Sequence, residues 1–379
     1  MVTERLHAGR PSAAIPPARA TACLALLLAA PSCLRPSEER ARRDEQVGVA
    51  DADGVRVEVA GGQAVVRELE RSRLLLWASA PRLSLSLAWQ VPAEGELLVE
   101  VLNCMPRAIV VARPSVPLIE SGRDAAGRCT FRLGPLAGQG ALTLDIAPPN
   151  TEAASPFRFA VMSDVQEAID DVQDVYAVMN REPDVDFLLG AGDLTEQGTH
   201  EQLERFEREL RSLSIPYYTT LGNHELGQSP SLYQDYFGRG SQSFEYRGVR
   251  FTLLDSASAT IDPIVFEWLD EWLAAGADQT HVVAMHIPPL DPVGVRNGAF
   301  ANRNEAAKLL GRLAAAGVDL TLYGHIHSYY HFENAGMPAH VSGGGGAIPE
   351  KFDDIGRHFL VVDADPATQR LDVRVVRVD

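Results

Sequence analysis

Two hydrophobic periodicities divide the chain. Over residues 50–148 apolar residues recur at every second position: Val55, Val57 and Val59; Leu83, Leu85 and Leu87; Leu97, Val99 and Val101; Leu142, Leu144 and Ile146. Period two buries one face of a strand and wets the other. Punctuated by Gly-Gly, Pro-Ala-Glu-Gly and Gly-Pro, these short strands predict a small all-β sandwich. Over residues 156–379 apolar runs alternate instead with helical patterns. The helices are predicted at 169–180, 200–212 with Thr199 as N-cap, 263–274, and 304–315 after Asn302 or Arg303. Alternation of strand and helix predicts a layered α/β fold with a largely parallel centre. The closing runs 359–362 and 371–378 alternate again and predict antiparallel strands completing a second sheet. The Pro-rich, patternless residues 147–156 mark the boundary between the two domains.

Five apolar runs of the second domain end in polar residues of one kind. Residues 157–163 end in Asp164-Val165-Gln166, and residues 187–191 in Gly192-Asp193. Residues 215–220 lead into Leu221-Gly222-Asn223-His224-Glu225, 281–285 into His286, and 318–323 into Gly324-His325-Ile326-His327. Open α/β sheets bind ligands outside the carboxyl ends of their strands. Carboxylate, amide and imidazole are the donors that first-row divalent cations take. A single Gly-Asn turn or strand-end histidine is ordinary; five such ends on separate strands point to a shared metal site.

In this order and spacing the residues resemble the calcineurin-like metallophosphoesterase superfamily, over about residues 156–379. The resemblance implies a two-sheet sandwich flanked by helices, two divalent ions (Mn, Fe or Zn), and a metal-activated hydroxide that cleaves a phosphomonoester or phosphodiester. It assigns Asp164, Gln166, Asp193 and His327 to one ion, and Asp193, Asn223, His286 and His325 to the other, with Asp193 bridging. One position departs from the family pattern: Gln166 stands where an imidazole is usual. His224 matches the position that contacts the phosphoryl group and protonates the leaving oxygen, a task suited to a side chain that ordinarily titrates near neutrality. Glu196 matches an acid that pairs with this histidine, or is a helix N-terminal acid favoured by the macrodipole. The purple acid phosphatase branch carries Tyr there, which argues against that branch. Glu225 reads as a supporting group. The Gly343 to Gly346 run resembles a loop near the site mouth, and Arg296, Asn297 and Arg303 are candidate phosphate contacts in or just after the long connection 290–302.

Composition narrows the partners. The chain has 34 Lys+Arg against 51 Asp+Glu, a formal charge of -17, with Lys308 and Lys351 its only lysines. Such a chain lacks the basic stripe that nucleic-acid backbones require, so nucleic acid is discounted as a bulk partner; a small phosphoester as substrate is what the resemblance implies. Arg5, Arg10 and Arg19 precede an apolar run at 20–30 that ends in Pro31-Ser32-Cys33. The run is too short to span a bilayer and fits a secretory signal over residues 1–32. Ala30 to Cys33 also resembles a lipoprotein box, so an N-terminal lipid at Cys33 is the expected membrane contact, with ordinary signal cleavage as the alternative. Export to the cell envelope or periplasm follows from either. Residues 33–49 read as a solvated tether, being charged and without apolar periodicity at 35–46. In an exported protein, Cys104 and Cys129 within one β domain are expected to be bridged, with two reduced buried thiols as the alternative.

Two function classes stand at this stage. One is an exported two-metal phosphoester hydrolase. The other is a non-catalytic or one-metal envelope binding protein that retains the fold, a reading fed by Gln166 alone.

Overall fold

The structure, a computed structural model, describes residues 35–90, 95–124, 127–149, 151–294, 298–351 and 354–378. The expected leader with Cys33 lies outside these residues, as do Arg296 and Asn297.

The period-two residues build the anticipated sandwich. One sheet has the order Val49–Ala52, Val55–Val59, Leu83–Gln90, Gln139–Ala147, Ile109–Arg113. The other runs Ala64–Glu70, Arg73–Ala78, Gly95–Leu102, Cys129–Leu136, Leu118–Arg123. Pairing is antiparallel except between Arg73–Ala78 and Gly95–Leu102. Val57, Leu85, Leu87, Val99, Val101 and Leu144 are sealed in a single core between the sheets, and Cys104 is bonded to Cys129 at its end. Asn103 then ties the sandwich to its neighbour: its amide donates to Ala78 O and Tyr217 O, both at 2.7 Å, and accepts from Tyr217 N at 2.8 Å. Tyr217 begins an edge strand, so this one side chain satisfies backbone groups that an open edge would leave unpaired.

The C-terminal domain is a pair of stacked sheets with helices outside. In the first sheet, Tyr217–Thr220, Val185–Ala191 and Phe157–Met162 are parallel neighbours. His358–Asp365 and Arg370–Arg377 follow beside Phe157–Met162, both antiparallel. The closing strands therefore extend the sheet that opens the domain, where the sequence reading had them completing a second one. The second sheet has the order Gln242–Tyr246, Val249–Leu254, Thr280–Met285, Leu320–Tyr323, Met337–Ser342, Tyr329–Asn334, its middle four strands parallel. Between the sheets lies an aromatic layer in which Phe159 meets Phe187 at 5.6 Å and Phe251 at 5.1 Å between ring centroids. Helices Val172–Met179, His200–Glu209 and Leu232–Phe237 cover the first sheet, and Pro263–Ala275 and Arg303–Ala315 the second. Thr199 caps its helix by accepting from Gln202 N at 3.2 Å, and Asn302 caps Arg303–Ala315 by accepting from Asn304 N at 2.9 Å. The six-residue helix Leu232–Phe237, less than two turns, has too short a pattern to be read from sequence.

Residues 36–46 correct the sequence reading. They form the helix Pro36–Gln46, docked on the C-terminal domain rather than solvated as a tether. Ser37, Arg40, Ala41 and Asp44 are its buried residues, a helical spacing carried almost wholly by polar side chains, which is why hydrophobic periodicity misses it. Arg40, 1% exposed, meets Asp255 through Nε at 2.6 Å and Nη2 at 3.2 Å. Asp44 accepts from Gln234 Nε2 at 3.0 Å and from Gly240 N and Ser241 N, both at 2.9 Å. Ser37 donates to Asp262 at 3.1 Å. Pro36 in the first turn, with Glu38 and Glu39, and Arg43 in the last turn suit the helix ends.

Removing one partner of a buried ion pair strands the other charge away from water. Arg40→Ala should therefore lower the unfolding free energy by about 3–5 kcal/mol in urea titration. A loss below about 1 kcal/mol, the scale of an exposed pair, would mean that the helix is not docked through this pair.

Candidate metal centre

Because the central strands of each sheet run the same way, their carboxyl ends share one edge, and the five polar turns meet there. Backbone bonds across the sheets fix the meeting. His286 Nδ1 donates to Ala191 O at 2.8 Å, His325 N to Asp164 Oδ2 at 3.0 Å, and Gly345 N to Ser163 O at 2.8 Å. The Gly343 to Gly346 run thus packs beneath Asp164, at the edge of the site. Glycine is needed where turns touch: a Cβ on Gly222 would collide with the Asp193 carboxylate, and one on Gly324 with Ser163 Oγ. Asp164, Gln166, Asp193 and His325 all have left-handed backbones, with φ of 63°, 47°, 52° and 70°. Strain of this kind persists only where surrounding contacts enforce it, and it clusters at functional sites.

Asp193, His286 and His325 offer ligand atoms that all lie within 4.8 Å of one another. Asn223 Oδ1 and Asp193 Oδ2 each stand 3.1 Å from His286 Nε2. Gln166 Nε2 is 2.8 Å from Asp193 Oδ2 and 3.2 Å from His327 Nε2, which lies 3.5 Å from Asp164 Oδ1. The seven residues assigned from the sequence to metal positions thus form one connected cluster. His224 lies beside it, its backbone N–H donating to Asp193 Oδ1 at 3.0 Å and its Nε2 3.9 Å from Asp193 Oδ2. Its ring borders a cavity of about 470 Å³ lined by Glu196, Gln197, Thr199, Asn223, Gly227 and Gln228.

The donor chemistry fits divalent ions. His286 gives its Nδ1–H to Ala191 O, so its Nε2, facing two oxygen acceptors, is bare in the neutral ring and takes a second proton where no other cation lies among them. Three acceptors facing one point repel unless positive charge lies among them. Burial alone would lower the His286 pKa, but the adjacent Asp193 carboxylate overrides it and pushes the imidazole up to about 9. Burial would likewise raise Asp193, yet His286 pulls it below the usual carboxylate range. His325 is pushed down to about 4 by burial and then by the charge of His286, which keeps its ring neutral and able to ligate. Asp164 Oδ1 is buried without a hydrogen-bond partner.

The groups that orient these histidines were not readable in the sequence. The acceptors are backbone carbonyls, with His327 Nδ1 donating to Ile348 O at 2.7 Å and His224 Nδ1 to Glu196 O at 2.7 Å. Glu196 therefore holds His224 through its main chain, its carboxylate being 3.6 Å away, and the first helix after it starts only at His200. Ser163 supports Asp164 through a hydroxyl bond to Oδ2 and also donates to Ser342 O at 2.9 Å. Arg303 lies exposed at the first turn of its helix. Glu225 is a buried clamp: it accepts from Leu194 N at 2.9 Å, Thr195 N and Oγ1 at 3.0 Å, and Gly222 N at 2.8 Å. It joins the Asp193 and Asn223 turns.

The calcineurin-like phosphoesterase family matches residues 157–329. A 3',5'-cyclic-nucleotide phosphodiesterase of Nostoc sp. is 29% identical over 177 residues, covering 43% of this chain and 65% of that protein. A probable glycerophosphodiester phosphodiesterase of Arcobacter nitrofigilis is 24% identical over 165 residues, covering 40% of this chain and 59% of that one. The chain thus spans less than two thirds of the length of either relative. A purple acid phosphatase from yellow lupin superposes with a TM-score of 0.54 at 15% identity, over 79% of this chain and 70% of its own, a likeness of fold alone.

Glu225→Ala should weaken divalent-ion binding by about 10 to 100-fold, the usual cost of losing a group that holds ligands in place. Equilibrium dialysis of the folded variant measures it, and unchanged affinity would show that the turns hold without the clamp.

Proposed function

We propose, since the domain that begins at Phe157 belongs to the calcineurin-like phosphoesterase family, that the protein is a hydrolase of phosphodiesters of small molecules. The observation that carries the reading is the convergence of Asp193, His286 and His325 on one point, with Asn223 on one side and Asp164, Gln166 and His327 on the other. Two curated relatives named as phosphodiesterases support the diester as substrate. Divalent ions held by these residues would supply Lewis acidity toward the phosphoryl oxygens. The chain's own groups do the rest. Asp193, fully buried and ionised, anchors the cluster. Asn223 contributes a neutral amide and leaves the site's charge positive enough for an anionic ester. His224 is 28% exposed at the cavity wall, so its ring is reachable by a substrate. With Nδ1–H fixed on Glu196 O, any proton it gives leaves from Nε2, which orients it as general acid toward the leaving oxygen.

The setting we propose is the exported one, at the cell envelope or in the periplasm. The Cys104 to Cys129 disulfide supports it, because such bonds persist in oxidising compartments. Finding the native protein only in the cytosolic fraction, with both thiols free, would overturn this part.

A panel of aryl phosphate monoesters and diesters assayed with Mn2+, Zn2+ or Fe2+ tests the activity; turnover of no ester with any ion would refute it. His224→Ala should lower kcat by about 100-fold or more, the scale of general-acid catalysis, while retaining bound metal. Loss of metal in that variant would instead make His224 a ligand.

A further inference from the structure

The two halves of the polar cluster are chemically unlike. Around His286, three acceptor atoms face one another and only positive charge reconciles them. Around Gln166 two of the acceptors are already satisfied. His327 Nδ1–H is committed to Ile348 O, so its Nε2 is an acceptor, as is Asp193 Oδ2. The Gln166 amide nitrogen has two hydrogens and faces these two atoms, at 3.2 Å and 2.8 Å. It therefore does for that half, with a neutral dipole, part of what a cation does for the other. The same side chain can present its oxygen instead, by a half-turn about its last torsion, a rotation that a terminal amide makes readily. Asp164 Oδ1, buried and without a hydrogen-bond partner, stays available in either orientation.

We propose that the centre is asymmetric: Asp193, Asn223, His286 and His325 hold one divalent ion tightly, and Asp164, Gln166, His327 and the shared Asp193 hold a second, labile one. The Gln166 amide is its gate. An ion entering this half displaces two hydrogen bonds, and in return gains an amide oxygen, a neutral donor that favours Mn2+ or Mg2+ over Zn2+ relative to imidazole. The inference rests on the hydrolase reading of the same site but concerns binding, so it is measured without turnover.

The test uses the metal-stripped full chain titrated with Mn2+, followed by equilibrium dialysis and electron paramagnetic resonance. The first equivalent should bind about 10-fold or more tightly than the second, by the scale on which ligand-shell changes alter affinity. At one equivalent the spectrum should be that of an isolated ion, and at excess that of an exchange-coupled pair. Gln166→His should tighten the second ion by about 10-fold while leaving the first unchanged, and the isosteric Gln166→Glu should tighten it too. If neither variant folds, the two-stage titration of the parent decides alone. Two ions of equal affinity in the parent, or variants that titrate as the parent does, overturn the inference without touching the hydrolase reading. A chain that binds no Mn2+, Zn2+ or Fe2+ at any concentration overturns both.

Discussion

The Asp193 carboxylate is the point at which the two sheets are made to agree. One oxygen accepts the His224 backbone N–H from the first sheet's edge turn; the other meets His286 from the second sheet and Gln166 from the first. A buried ionised carboxylate is costly without such partners. Much else in the domain can be understood as meeting that requirement. The parallel strands bring the turns to one edge, glycines at positions 222 and 324 let them touch, and Glu225 locks two of them together. Left-handed backbones at four site residues are tolerated because these contacts leave no alternative.

The apolar runs and their polar endings were legible because parallel strands are buried on both faces and stop abruptly at the ligand edge. Asp193, His286 and His325 announce themselves as donor types at such ends, and the helices of the C-terminal domain have enough turns to show a period. What fixes the donors was illegible. Main-chain carbonyls of Ala191, Glu196 and Ile348 orient three imidazoles, and a carbonyl has no letter in a sequence. The placement of the closing strands was misread for a related reason: local alternation tells that His358–Asp365 is a strand, but its partner Phe157–Met162 lies some 200 positions earlier in the chain.

The helix Pro36–Gln46 failed the same reading from the other side, since its buried stripe is polar. Arg40 and Asp44 do not supply apolar area; they complete the hydrogen bonding of turns at Gly240, Ser241 and Asp255 that the C-terminal domain leaves open. Asp255 closes the strand next to Thr280–Met285, and Ser256, one residue on, accepts Ile287 N at 2.7 Å beside His286. The support of the candidate metal centre thus runs back to the first described helix of the chain.

That connection gives the protein an order of assembly. Arg40 and its acceptor Asp255 are 215 positions apart. As the chain grows or is threaded from its N-terminus, the helix and the whole β-sandwich emerge before the strand that bears Asp255. The sandwich has a core of its own between its two sheets; the helix buries little that is apolar, Ala41 alone among its buried residues. Only when the second sheet forms does the guanidinium leave solvent. That contact joins the two ends of a 215-residue separation, so the edge of the sheet that carries His286 gains this buttress only once both segments are in place.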